Sequence, residues 1–222
     1  MLEIYHFPLC PFSRKLRIAL REKAVEFELF QEKYWERRAS FLKMNPRGET
    51  PVIKTEDGLV IYGRNTIFEF IEENYPEPSL IGDAISSRVN VRKVSEWFDD
   101  KFYTEVTRYI ILEKIIKPAQ GSGAPNSDFI RAAKKNLESH MRYIEHLLDR
   151  NIYLSGEKVT LSDISAAAQI SVLDFTNDIN WDKSHRIKEW YALIKSRPSF
   201  RSILYDLIPG IVPPIHYSDP DF

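Results

Sequence analysis

The sequence predicts an α+β chain: a mixed N-terminal third of order β-α-β-α-β-β-α, followed by an all-α remainder. Three observations carry this. Leu2-Glu3-Ile4-Tyr5-His6-Phe7 and Val25-Glu26-Phe27-Glu28-Leu29-Phe30 alternate apolar and polar residues, the period of a half-buried strand. Asp57-Gly58 separates the apolar runs Pro51-Val52-Ile53-Lys54 and Leu59-Val60-Ile61-Tyr62, a hairpin signal. Beyond residue 84, apolar residues recur at helical spacing and no strand is predicted.

The elements follow in order. Pro8 to Pro11 forms a turn after the first strand, and Ser13 offers a hydroxyl as the cap of the first helix. Leu16, Ala19, Leu20 and the stem of Lys23 make its inner stripe, with Arg14, Arg17 and Arg21 on an outer face. The second strand spans 25–30, and residues 35–44 form a helix ended by Asn45-Pro46-Arg47-Gly48. Ile67, Phe68, Phe70 and Ile71 mark a third helix. Glu77-Pro78-Ser79-Leu80-Ile81-Gly82 marks a linker, giving domains at 1–78 and 85–222 joined by 79–84. Val94, Phe98, Phe102, Val106 and Tyr109 line a long helix, and a loop is expected over 118–126. Helices follow over 130–148, 164–172 and 187–195. Thr160-Leu161-Ser162-Asp163 reads as a capping box with Asp in place of Glu. The Pro-rich stretch 209–222 is expected to be irregular.

Composition narrows the function. A chain of 222 residues, 43% hydrophobic and 28% charged, has the balance of a globular protein, not a disordered one. Net charge of -1 gives no reason to expect nucleic acid or an anionic membrane as partner. No secretory signal and no membrane span are read, so a cytoplasmic location is expected. The single cysteine excludes an internal disulfide, and the five histidines lack metal spacing. No Gly-rich phosphate loop is present in the sequence.

Cys10 is the candidate for chemistry. It falls between a strand end and a helix N-terminus, where free amides and the helix dipole favour an anion. A thiol of reference pKa ~8.5 falls in such a place, and Arg14, Lys15 and Arg17 would assist. The alternative is a buried, inert cysteine. Arg14, Lys15, Arg17, Arg21, Arg37 and Arg38 could form a basic patch or simply be solvated. Trp97, Tyr103 and Tyr109 could line an apolar site between the domains or belong to the core.

Cys10-Pro11-Phe12-Ser13-Arg14-Lys15-Leu16-Arg17, Glu49-Thr50-Pro51-Val52, the Asp57-Gly58 hairpin and Thr160-Leu161-Ser162-Asp163 together resemble the glutathione transferase superfamily over nearly the whole chain. The resemblance implies a thioredoxin-like N-terminal domain, a homodimer and glutathione as co-substrate. Cys10-Pro11-Phe12 is similar to the omega-class turn. This implies a catalytic Cys10, with Ser13 as a second catalytic candidate. The reaction would be glutathione conjugation to a small electrophile or exchange with a disulfide. Pro51 looks like the family's cis-proline, with Phe12, Thr50 and Val52 beside the bound peptide. One departure stands out. Many members place Glu-Ser before the third helix to hold the γ-glutamyl end, and here those positions are Gly63 and Arg64. Arg64 with Asn65 could bind the ligand carboxylate, repel its ammonium, or pair internally with Glu69 or another acid.

Trp35-Glu36-Arg37-Arg38 and the tail Ile215-His216-Tyr217-Ser218-Asp219-Pro220-Asp221-Phe222 resemble a narrower group, the transferase-like division proteins of alphaproteobacteria that bind the FtsZ filament. That resemblance implies a non-catalytic protein touching its partner through Trp35, Arg37, Asp219 and Phe222. A Trp flanked by charge is a common interface anchor. It could equally pack on its own domain, and the tail could strap back onto the helices.

Overall fold

Residues 1–219 are described by the computed structural model, and its sheet begins where the alternation predicts. Strand β1, Leu2–His6, buries Leu2, Ile4 and His6 and leaves Glu3 and Tyr5 half-buried. It lies inside a four-stranded sheet of order β2-β1-β3-β4, with β2 at Phe27–Gln31, β3 at Val52–Lys54 and β4 at Val60–Tyr62. β1 runs parallel to β2 and antiparallel to β3, which pairs antiparallel with β4 across the predicted hairpin. On the outer face Lys54 pairs with Glu3 at 3.1 Å and Tyr5 stacks on Phe30.

Helix α1, Pro11–Glu22, joins β1 to β2. β2 starts two residues later than predicted, because Ala24 (φ 54) and the Val25 amide, bonded to Leu20 O at 2.9 Å, close the end of α1. The helix predicted over 35–44 is split. Tyr34–Glu36 is a single 3-10 turn, Arg37 takes the left-handed φ 50, and α2 forms only at Ala39–Met44. Helix α3, Arg64–Asn74, ends the mixed layer. The linker then leads to α4, a continuous helix over 85–120. It is α-helical at Ile85–Glu96 and wound more widely, with i→i+5 bonding, over Trp97–Thr107 and Leu112–Ile116. The loop expected from Pro118 starts only at Gly121 (φ 63), since one hydrogen bond lost to proline in the last turn is tolerated.

Helix α5, Ser127–Leu148, begins at Asn126, whose side chain accepts from the Asp128 and Phe129 amides. Helix α6, Leu161–Phe175, opens on the predicted capping box: the Thr160 amide donates to Asp163 Oδ2 at 3.0 Å. The other Asp163 oxygen takes the Leu154 amide and Trp190 Nε1, so the box also ties α6 to α7, His185–Lys195. A short helix α8, Pro198–Leu204, is an addition to the sequence reading; Pro198 opens it at the first position, where its missing N–H costs nothing. Of the two readings of the tail, the described residues follow the strap. Lys195 donates to His216 O at 2.7 Å and Tyr217, fully buried, donates to Ile203 O.

The largest correction concerns α1. Arg14 and Arg17 do not face solvent, and with Lys15 they are 0–2% exposed. α1 is packed against both α6 and α8, so its basic face lies in the seam between the layers. Arg14 donates to Pro8 O and Ser171 Oγ, while Arg17 Nη1 reaches both Asp206 oxygens at 2.8 and 2.9 Å. Lys15 meets Asp99 of α4 at 2.5 Å, and Arg197 clasps Glu22 through two bonds of 2.7 Å. No basic patch is therefore built from Arg14, Lys15 and Arg17.

Two outcomes follow from this seam. Removing one partner of a buried pair leaves an uncompensated charge, so Asp206→Ala should lose about 3–5 kcal/mol in urea unfolding. His6, buried beside this seam, has its pKa pushed down to about 3, first by burial and then by Arg17 and Arg14. The unfolded chain, with an ordinary histidine, binds this proton first. The stability held by neutral His6 is therefore present above pH ~6.5 and lost as pH falls toward ~3. His6→Phe should flatten unfolding free energy against pH across that window, and an unchanged slope would exclude His6 as its source.

Candidate functional site

The N-cap of α1 is Cys10, not the predicted Ser13. Its extended backbone (φ -71, ψ 118) makes the cap, and Pro11 takes the first helical position. Ser13 lies inside the first turn, buried, and its hydroxyl has no hydrogen-bond partner among the described residues. Cys10 is 7% exposed. Its amide donates to Phe7 O at 2.9 Å and its thiol donates to Thr50 O at 3.3 Å. The Thr50–Pro51 bond is cis, and Val52 follows as the buried first residue of β3, facing Tyr5 and Tyr62. The turn at Cys10 and the turn at Thr50-Pro51 thus meet at one point, through a bond that spans forty positions of the chain.

Arg64 fills the space beside them. It is the first residue of α3, and Gly63 before it holds φ 96, a left-handed conformation that favours glycine. The Arg64 guanidinium lies 3.8 Å from the Phe12 ring centre and 4.7 Å from that of Tyr103, and donates to Asp99 O at 2.9 Å. Its contacts are internal, but they are not the pair with Glu69 or another acid that the sequence offered. The acceptor is a backbone carbonyl and two aromatic faces, and Glu69 is not its partner. Asn65, next on α3, is exposed.

Two tyrosines complete the surroundings of the thiol. Tyr103 of α4 meets Phe12 edge-on at 4.7 Å. Burial, then Cys10, push its phenol up to about 12 against the opposing pull of Arg64. Burial and then Cys10 also raise the Tyr34 phenol far above its ordinary range. Tyr34 escaped the sequence reading because it stands in a charged, aperiodic run. Phe7 packs edge-on against Trp35 at 4.8 Å, and Tyr34 against Trp35 at 5.3 Å. Trp35 is therefore half-buried on its own domain. Cys10, Phe12, Tyr34, Trp35, Tyr103 and the strap residue Tyr217 all belong to one apolar cluster, separate from the main core.

Other candidates lie apart. Trp97 donates to His140 Nδ1 and packs on Tyr143, and Tyr109 stacks on Phe129, so neither faces this cluster. Arg37 is exposed, and Asp219 is exposed at the end of the strap. Phe222 lies outside the described residues. No His, Cys, Asp or Glu group suited to a metal occurs among the described residues, and no helix is long and apolar enough to cross a membrane.

Comparison with known proteins agrees with this layout. Residues 9–74 match the family described as "Glutathione S-transferase, N-terminal domain", and residues 124–203 match "Glutathione S-transferase, C-terminal domain". The chain is 41% identical over 222 residues to FtsZ-localized protein A of Caulobacter vibrioides (strain NA1000 / CB15N), covering 99% of this chain and 97% of that protein. Among solved structures, a glutathione S-transferase from Rhodospirillum rubrum F11 superposes with a TM-score of 0.97 at 47% identity, with full coverage of both chains. FzlA from C. crescentus superposes with a TM-score of 0.96 at 41% identity, covering 100% of this chain and 99% of that one.

The Arg64 stack has a measurable worth. A guanidinium held over an aromatic face contributes about 0.5–2 kcal/mol. Arg64→Ala should cost that much in chemical denaturation, and Arg64→Lys should recover only part of it, because an ammonium lacks the planar face. Full recovery by lysine would show that charge alone matters there.

Proposed function

The chain belongs to the glutathione S-transferase family, and from that premise we propose that it works as a partner of the FtsZ division filament, not as an enzyme. The observation that carries this is its full-length kinship with FtsZ-localized protein A, at 41% identity. The site supports it from the opposite side. The carboxylate and hydroxyl that would grip a γ-glutamyl end are replaced by Gly63 and Arg64, and Arg64 is already committed to Phe12, Tyr103 and Asp99. The Thr50 carbonyl, a backbone group expected to meet bound glutathione, takes the Cys10 thiol. Trp35 and Arg37 form the contact surface in this reading, with Asp219 contributing from the strap. Filament binding would place the chain in the cytoplasm, and the homodimer expected of the family would present this surface twice.

A second reading keeps the chemistry. Cys10 at the cap of α1, beside cis-Pro51, is the arrangement on which glutathione conjugation or thiol-disulfide exchange would rest, with glutathione as co-substrate. Two measurements separate the readings. Co-sedimentation with FtsZ polymer should retain the parent chain in the pellet, and Trp35→Ala and Arg37→Ala should each lower the retained fraction severalfold. Calorimetry with millimolar glutathione should give no binding heat. A parent chain that stays in the supernatant, together with saturable glutathione heat and Cys10-dependent disulfide exchange, would reverse the assignment.

A further inference from the structure

The connection from β2 to β3 carries a concentration of positive charge. Between Lys33 and Arg47 stand five cations, Lys33, Arg37, Arg38, Lys43 and Arg47, against one acid, Glu36, in a chain whose net charge is -1. All five cations are exposed. Three of them are matched locally. Lys33 lies 3.5 Å from Glu36, Arg47 lies 3.3 Å from Glu49, and Arg38 is bonded to the buried Glu32. Arg37 and Lys43 have no acidic partner among the described residues.

Arg37 is also held in place. Its backbone takes the left-handed φ 50, which a residue with a Cβ adopts at a cost. Gly48, at φ 65 in the turn after α2, leaves room for its side chain. A Cβ at Gly48 would stand 3.3 Å from Arg37 Nη1 and 3.1 Å from Leu42 Cδ2. The guanidinium therefore lies close over the 45–48 turn, which is fixed by the Gly48 amide on Asn45 O at 2.9 Å and the Arg47 amide on Asn45 Oδ1 at 3.0 Å. A seated guanidinium without an acid, near the half-buried Trp35 in the chain, is preorganised to take a carboxylate.

We propose that this connection receives a carboxylate-rich segment of a partner protein, whose acids pair with Arg37 and Lys43 while Trp35 supplies the apolar contact. The inference rests on the FtsZ reading, on which that segment belongs to the filament, and adds the chemistry of the partner's side. Two unmatched cations on a short connection fall short of the long stripe that tracks a nucleic acid. An anionic bilayer likewise calls for a cluster of several cations. A carboxylate fits the planar fork of Arg37. Charges at an exposed rim act chiefly on encounter and on the choice of partner, so binding should weaken with salt.

Two assays on the full chain test this. In co-sedimentation with FtsZ polymer, affinity should fall about tenfold between about 50 and 300 mM salt, and Arg37→Glu with Lys43→Glu should flatten that dependence. Salt-independent sedimentation, unchanged in the double variant, would overturn the acidic partner and leave the FtsZ reading standing. The second assay needs no filament: fluorescence anisotropy of labelled octaglutamate, with octalysine and an oligodeoxythymidylate of equal charge as controls. Octaglutamate should bind saturably and octalysine should not. Binding of octaglutamate without sedimentation would support the acidic segment while removing FtsZ as its source. Arg37→Gly removes the guanidinium and relieves the left-handed backbone, so its unfolding midpoint should not drop while octaglutamate binding falls severalfold. No saturable octaglutamate signal, tighter binding of the oligonucleotide, or displacement by millimolar glutathione would overturn the proposal.

Discussion

The fold turns on the burial of α1's basic face. A helix carrying Arg14, Lys15 and Arg17 can lie in an interior only if each charge meets a partner, and here each does. The partners come from three separate places in the helical layer: Asp99 from α4, Ser171 from α6, Asp206 just past α8. The seam is therefore specific as well as tight, because another approach of the two layers would strand a guanidinium. Buried pairs of this kind contribute little net stability, and what they do here is fix one relative position of the layers.

That position sets the geometry at the other end of α1. Cys10 caps the helix whose following turns are clasped from behind, so the thiol is brought against Thr50 O and among Tyr34 and Tyr103. The family plan supplies the scaffold for holding a peptide at this point. The side chains around it have been turned toward one another. Arg64 sits where a ligand-gripping hydroxyl would stand, and its stacking on Phe12 and Tyr103 joins the two layers at the front as Asp206 does at the back. Arg64 at this position serves the packing of the two layers, and retention of a fold carries no guarantee of its chemistry.

Much of the fold was legible because its signals are local. The Asp57-Gly58 hairpin, the Thr160–Asp163 box and the alternation of β1 each depend on residues within a few positions of one another. The cation face of α1 was not legible, and the reason is distance along the chain. Arg17 lies 189 positions from Asp206 and Lys15 lies 84 from Asp99, so the local pattern is that of a solvated helix face. The same holds for Arg64, whose acceptor is a main-chain carbonyl with no side-chain signature. Cys10 and Pro51 could be paired only through the family resemblance. Tyr34 had no periodic context to mark it, and the wide turns of α4 leave no trace in composition.

Helix α6 carries a consequence of its own. Every residue from Leu161 to Phe175 is buried, so the helix has no face on which change is free. Its small side chains, Ser165 to Ala168, admit their neighbours closely, and even one added methyl group would have to be absorbed by α1, α4 or α7. Divergence within such a protein is consequently forced outward, onto loops and half-buried turns such as Tyr34–Glu36. A lineage built on this scaffold can exchange its partners many times while its centre stays nearly fixed.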